Sequence, residues 1–370
     1  MARLSDDELG AITDAFERLL RNQCSEQHVR RWMEDKCGYD DNLWQAMAQM
    51  GITGLLVGEE YGGAGVGMVA VERIMEIAGS ALLGAPLLTS AVMSVAAIQA
   101  SGDETACNNL LPGIADGSSI ATLLMTGPSG GWREETIDLQ AKANGEEWHL
   151  SGKACYVLHA RNADVWLAVA NTDAGPSLFD VSPGAHGITL STLPSFDHTL
   201  VLDEVILDGV PATCIGQTGK GWTAIENALN AGTIALAGEQ AGGAEHILQI
   251  AVEYAKIRHQ FGRPIGSFQA IKHMASDLVL EVESAISAAR KAASVADEGA
   301  EDAATWRNLA GFSCADAFTR TAKDAVQMHG GIAFTWEHPA HLYLRRSRAD
   351  AQLFGTPEAY RERYLTNLGG

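Results

Sequence analysis

Apolar residues recur at helical spacing through both ends of this chain and give way to short β-rich runs at its centre. From Trp222 to Ile257 no proline intervenes, and Ile225, Leu229, Leu236, Ile247, Leu248 and Val252 fall on an amphipathic pattern that predicts one long helix. A second Pro-free run extends from Ile265 to Phe334, with the polar stretch Gly299–Asp302 predicting an interhelix turn. Residues 5 to about 118 also read as helices, broken at Gly51, at the Gly62–Gly67 loop and at Pro86. The centre changes character. Trp148-His-Leu-Ser, Tyr156-Val-Leu, Asp164-Val-Trp-Leu-Ala-Val-Ala, Gly187-Ile-Thr-Leu and Leu200-Val-Leu-Asp-Glu-Val-Ile-Leu predict short strands separated by turn residues. The expectation is an α+β protein with an N-terminal helical domain over 1–118, a small β-domain over 119–212 and a helical bundle over 213–370. No internal repeat and no long disordered segment is visible.

Composition narrows the function. A chain of 370 residues, 46% of them apolar, can bury a large core divided into two or three packed units. Its net charge of −20 and lack of a polybasic block argue against binding nucleic acid or an anionic membrane. No apolar run reaches membrane-spanning length, and the N-terminus, with Asp6, Asp7 and Glu8, does not read as a signal peptide. Cys24, Cys37, Cys107, Cys155, Cys214 and Cys314 are scattered, with no C-x-x-C pair and no His cluster at metal spacing. They read as free thiols of a cytoplasmic protein without a metal site. The stretch Gly54–Gly67 carries a dinucleotide-like glycine spacing, but both flanks read as helix, so a Rossmann phosphate loop is not expected.

Candidate chemistry concentrates at the end of the long predicted helix, in Arg258-His-Gln-Phe-Gly-Arg-Pro-Ile-Gly-Ser-Phe-Gln-Ala-Ile-Lys-His273. Arg258 and Gln260 stand there beside an aromatic plug, Phe261, and a Gly262–Pro264 turn; a fixed Arg grips a pyrophosphate with a bidentate geometry that Lys lacks. Downstream, Gln327-Met-His-Gly-Gly331 precedes Phe334-Thr-Trp-Glu-His338, and Gly330 and Gly331 let backbone amides approach a ligand closely. These two segments resemble the flavin-binding signatures of the acyl-CoA dehydrogenase family, and Gly54–Gly67 resembles that family's N-terminal helix connection. The resemblance implies the family's architecture, with a four-helix C-terminal bundle, and FAD as cofactor. It also implies α,β-dehydrogenation of an acyl-CoA thioester, with an electron-transfer flavoprotein as acceptor. Arg258, Gln260, Phe261, Gln269, Gln327, Gly330 and Gly331 would hold the adenosine diphosphate half of a neighbouring subunit's FAD.

The family's reaction needs a glutamate base, at either of two places, and this chain departs from both. The residue before Gly355-Thr356 is Phe354, and the position about seven turns upstream of Arg258 is Gly232. Glu239 lies two turns along from Gly232, displaced by roughly 10 Å. It is a candidate relocated base, set against a plainer reading as a helix-surface or interface carboxylate near Arg or Lys. In the centre, Met125-Thr-Gly-Pro-Ser-Gly-Gly-Trp132 resembles a loop that contacts flavin and thioester; Thr126 matches it, and Gly127 replaces its acid. Tyr156 matches the aromatic against the flavin, whereas Leu158 stands where a Thr hydroxyl is common and His159 reads as a packed residue. The retained half and the eroded half together imply the non-catalytic subunit of an α2β2 oxidoreductase of lipid metabolism. Its partner would be a homologous subunit carrying the glutamate, acting on a bulky, steroid side-chain type acyl-CoA. The alternatives are a self-sufficient homomer using Glu239, or another flavoprotein on this fold.

Overall fold

The computed structural model describes residues 4–145 and 147–369. Six helices make the N-terminal part: α1 (Asp6–Gln23), α2 (Glu26–Asp35), α3 (Asp41–Gln49), α4 (Met68–Ser80), α5 (Val95–Ala100) and α6 (Glu104–Ala115). Their ends follow local chemistry. Ser5 and Glu8 form a reciprocal capping box at α1, and Asp103 accepts from the Thr105 and Ala106 amides at α6. The breaks at Gly51 and in the Gly62–Gly67 loop fall where the pattern places them, and Pro86 opens a π-helical segment, Leu87–Ser94, that feeds α5.

The centre is a sheet of β1 (Ala121–Leu124), β2 (Gln140–Asn144), β3 (Glu147–Leu158), β4 (Val165–Thr172), β5 (Gly175–Val181), β6 (Ile188–Thr192) and β7 (Leu202–Ile215). It runs β1-β4-β2-β3-β7-β5, with β6 on β7, and β5 also pairs with β4, so the strands from β4 round to β5 close on themselves. The predicted runs at 148–151 and 156–158 are one continuous strand, β3. Strands β1 and β5 escaped the pattern because β1 is buried throughout and β5 nearly so, and a strand buried on both faces does not alternate.

After β7 the chain enters α7 (Gly221–Ile257), turns through the hairpin β8 (His259–Gln260) and β9 (Arg263–Pro264), and continues as α8 (Gln269–Glu298) and α9 (Ala303–His329). Two shorter helices, α10 (Ala340–Asp350) and α11 (Pro357–Asn367), complete the bundle. Glycines on α4 and α7 let those helices meet backbone to backbone. A Cβ on Gly242 would lie 1.7 Å from the Glu76 carbonyl, and one on Gly79 would lie 1.9 Å from the Glu239 carbonyl. A helical glycine costs up to ~1 kcal/mol against alanine; here no other residue fits. One hydrophobic cluster is continuous from Phe16 of α1 through Phe179 of β5 to Phe318 of α9. Among the described residues no helix is long and apolar enough to cross a membrane, and no group of His, Cys, Asp and Glu is arranged to hold a metal ion. All six cysteines are free.

Candidate functional site

Tyr156 reaches its position through a defect in the sheet. The β3–β7 register slips between Ala154 and Val157, and Tyr156 adopts φ 57° and is 40% exposed. Such a bulge re-aims a side chain out of the ladder. The ring lines a cavity of about 670 Å3 between the β-domain and the end of α10, with Trp132, Phe196, Leu200, Arg348 and Gln352 among its walls. Trp132 is tied down: its indole N–H donates to the Gln352 carbonyl at 3.0 Å, and its ring meets Phe354 edge-on with centroids 5.3 Å apart. On its other side Trp132 lines a second cavity of about 370 Å3, together with Phe354, Thr233, Tyr360, Arg307 and Arg363.

Thr126 is buried and turned away from the larger cavity, with its hydroxyl 3.2 Å from that of Thr136. Gly127 is wedged in the same loop. A Cβ there would stand 2.6 Å from Asp138 Cβ and 2.9 Å from the Thr136 carbonyl, so no acidic side chain fits without moving the loop.

Neither position at which the resemblance places a base carries an acid. Gly232 faces the fully buried Met93, and its Cβ would lie 3.0 Å from both Met93 Cγ and Sδ. Its neighbour Thr233 shares a 3.1 Å hydroxyl contact with Tyr360. Phe354 is 2% exposed and held at φ 63°, a left-handed conformation costly for a bulky residue. Neither residue titrates.

Glu239 is buried rather than on a helix surface, and its partner is the buried Arg346 of α10, 2.5 Å away. Arg346 also holds Asp197 at 2.8 Å. Burial raises the Glu239 carboxyl above its ordinary range, while Arg346 opposes the shift. Glu239 does not line the cavity under Tyr156; it faces a smaller one with His159 and Asp350. His159 is a packed residue whose pKa burial and Arg346 push down to about 4, so it stays neutral.

The second set of residues gathers at the far end of α7. Arg258 leaves the helix in an extended conformation, and the hairpin turns at Phe261 and Gly262, both with positive φ (53° and 77°). Such a turn favours glycine, so Phe261 carries backbone strain. Phe261 is not a plug within its own chain; it is 92% exposed, because no element of the same chain covers the hairpin. Gln269 opens α8 and Gln327 lies near the end of α9, both exposed. Gly330 terminates α9 at φ 69°, and nothing lies within 4 Å of a Cβ built on Gly330 or Gly331. The rings of Tyr254, one turn before Arg258, and His329, one residue before Gly330, lie 4.5 Å apart. That contact brings the two sequence segments to one end of the bundle.

Three features lay outside the sequence reading: the Trp132–Gln352 tie, the Arg346 cluster and the unpaired Asp350. Only the Arg346–Asp350 spacing of four on a helix offered a local signal.

The acyl-CoA dehydrogenase N-terminal domain matches residues 6–118, and the acyl-CoA dehydrogenase C-terminal domain matches residues 219–368. Acyl-CoA dehydrogenase IpdE2 of Mycolicibacterium smegmatis is 32% identical over 352 residues, spanning 95% of this chain and 96% of its own length. Two solved structures share the fold along its whole length. A variant of the steroid ACAD Tcur3481-Tcur3483 has a TM-score of 0.88 at 27% identity, over 98% of each chain. The ChsE4-ChsE5 complex from Mycobacterium tuberculosis has a TM-score of 0.89 at 25% identity, over 100% of this chain and 99% of that one.

Proposed function

The chain belongs to the acyl-CoA dehydrogenase family, a family of flavoprotein oxidoreductases, and on that premise we propose that it is the subunit of a heteromeric enzyme that lacks the base. One observation carries the reading: the two places for a glutamate hold Gly232, packed on Met93, and Phe354, closed in beneath Trp132. Glu239 is held by Arg346 and faces neither of the two larger cavities. A homologous partner chain that keeps the glutamate would take the proton from the acyl-CoA.

The contribution of this chain is a grip in trans. FAD fits the exposed end of α7: the Arg258 side chain is exposed, and nothing crowds the Cα of Gly330 or Gly331, although the Gly330 amide itself donates to the Val326 carbonyl. Arg258, Gln260 and Gln269 would hold a pyrophosphate, Phe261 would pack on the partner, and Gln327 with Gly330 and Gly331 would offer polar and backbone contacts. FAD, when bound, supplies the hydride acceptor of the reaction. Thr126 would steady its loop through the hydroxyl contact with Thr136, while Tyr156 keeps an aromatic face towards its own cavity.

A bulky acyl-CoA, of the steroid side-chain type, is the substrate class we assign to the assembled α2β2 enzyme, with an electron-transfer flavoprotein as acceptor. The likeness to a steroid ACAD and to the ChsE4-ChsE5 complex supports that choice. The test is FAD content. The chain purified alone is expected to carry little FAD, and the chain co-expressed with a glutamate-bearing partner about one FAD per pair of chains, as two complete sites in a tetramer require. Arg258→Ala within the complex is expected to weaken FAD retention by about 10–100-fold, the equivalent of a charged hydrogen bond of ~1.5–3 kcal/mol. Unchanged retention would contradict the trans role.

A further inference from the structure

Glu239, Asp350 and His159 come from α7, α10 and the β-domain, and all three line one small cavity of about 20 Å3, walled otherwise by apolar groups such as Leu87, Leu158 and Leu353. Arg346 has no donor left for this space. Its Nε donates to Asp197 and Thr199, its Nη1 to Glu239 and the Leu83 carbonyl, and its Nη2 to Thr199 and the Leu82 and Leu83 carbonyls. Asp350, one turn further along α10, therefore has both carboxyl oxygens unpaired, and so has His159 at Nδ1. These residues are only 1% and 3% exposed. Buried polar atoms without partners are rare and costly. A void needs roughly 10–15 Å3 to admit a single water, and that water needs two to four polar partners. The cavity meets both conditions.

We propose that this cavity is a binding site for one water molecule, held between Asp350, His159 and Glu239, with Asp350 carrying the proton that it donates to the water. The water then makes three hydrogen bonds. The Asp350 hydroxyl donates to the water oxygen, one water hydrogen goes to His159 Nδ1, and the other goes to the Glu239 carboxylate. Charge points to the same proton. Arg346 is the one cation within the cluster, facing the carboxylates of Asp197 and Glu239, and a third ionised carboxylate would leave the pocket doubly negative. Around His159, Tyr39 presents its ring edge-on at 6.3 Å, the nearby Arg161 is taken up by Asp203, and the Asn162 side chain lies within reach with its Oδ1 otherwise unpaired. Burial, then Glu239, raises the Asp350 carboxyl well above the usual range, against the pull of Arg346, consistent with a neutral acid.

The site is a positioning device. Leu200 and Leu353 line both this cavity and the larger one under Tyr156, and the turn after Asp350 carries Gln352 and Phe354, the two residues that touch Trp132. The bound water anchors the end of α10 from behind that wall. It does not depend on the subunit reading, so the two stand or fall separately.

Folded Asp350 keeps a proton that the unfolded chain loses above its ordinary carboxylate pKa of about 4, so its share of the stability declines as pH rises from there towards its folded value. The test is a crystal structure of the full chain, with the same for Asp350→Asn and Asp350→Leu, joined to proton counting on unfolding. An ordered water touching Asp350, His159 and Glu239, kept in the Asn variant and expelled in the Leu variant, is the expected result. Asp350→Asn, which preserves shape and remains informative if the Leu variant fails to fold, is expected to reduce by about one the protons released on unfolding near pH 6. A dry cavity, a direct Asp350–His159 contact, or an unchanged proton count would overturn the proposal.

Discussion

At position 232 a glycine sits against a methionine, and at 354 a phenylalanine occupies a strained, enclosed turn. At 232 the space a side chain would need is occupied by Met93, and at 354 a ring that cannot titrate lines the 370 Å3 cavity. Gly232→Glu is therefore expected not to create a working base. Replacing the glycine gains up to ~1 kcal/mol of helix propensity, but overpacking a core costs about 1–3 kcal/mol, and Met93 has no solvent to retreat into. Net destabilisation in chemical denaturation, with no substrate-driven flavin bleaching by the variant, is the expected outcome; bleaching would mean that Met93 yields. Such residue-scale facts divide by distance along the chain. The absence of an acid at 232 and 354, and the Arg258 block, can be read locally. The Trp132–Gln352 hydrogen bond spans 220 positions and the Arg346–Asp197 pair 149, so nothing local announced them.

Helices were more legible than strands. Pro264 follows α7, Gly299 and Gly330 end α8 and α9, and apolar periodicity marks their length, so they could be placed from sequence. Strand β3 read as two fragments because Gly152 and the half-buried Lys153 interrupt its apolar run, and the bulge at Tyr156 reverses the alternation. Contacts between elements left less trace still. Asp297, in the last turn of α8, accepts from the Met68 and Val69 amides at 2.6 and 2.9 Å and so caps α4 from another helix. Gly67, at φ 90°, is required beneath it, since a Cβ would lie 2.6 Å from the Asp297 carboxylate. Asp297→Ala leaves two amides uncapped and is expected to lower stability by ~1–2 kcal/mol, with Asp297→Asn losing less. Equal stability of all three proteins in urea would show that the cap contributes nothing.

Taken whole, the molecule is asymmetric. One region, around Trp132, Phe354 and Gly232, has no acid at either position that the resemblance marks for a base. Another, at the end of α7, leaves Ile257, Phe261 and Phe334 from 74% to 92% exposed on a chain of net charge −20. This end of α7 is where the proposed partner subunit would pack. The three-part architecture was legible in the sequence; the closure of the central sheet and the surroundings of Gly232 and Phe354 required the fold. The decisive measurement is anaerobic flavin bleaching by a steroid side-chain acyl-CoA, with this chain reconstituted with FAD alone and then in complex with a glutamate-bearing partner. Loss of a general base typically costs about 10²–10⁴-fold in rate. The chain alone should bleach slower than the complex by at least that margin. Bleaching by the chain alone at the rate of the complex would mean that it carries a base of its own.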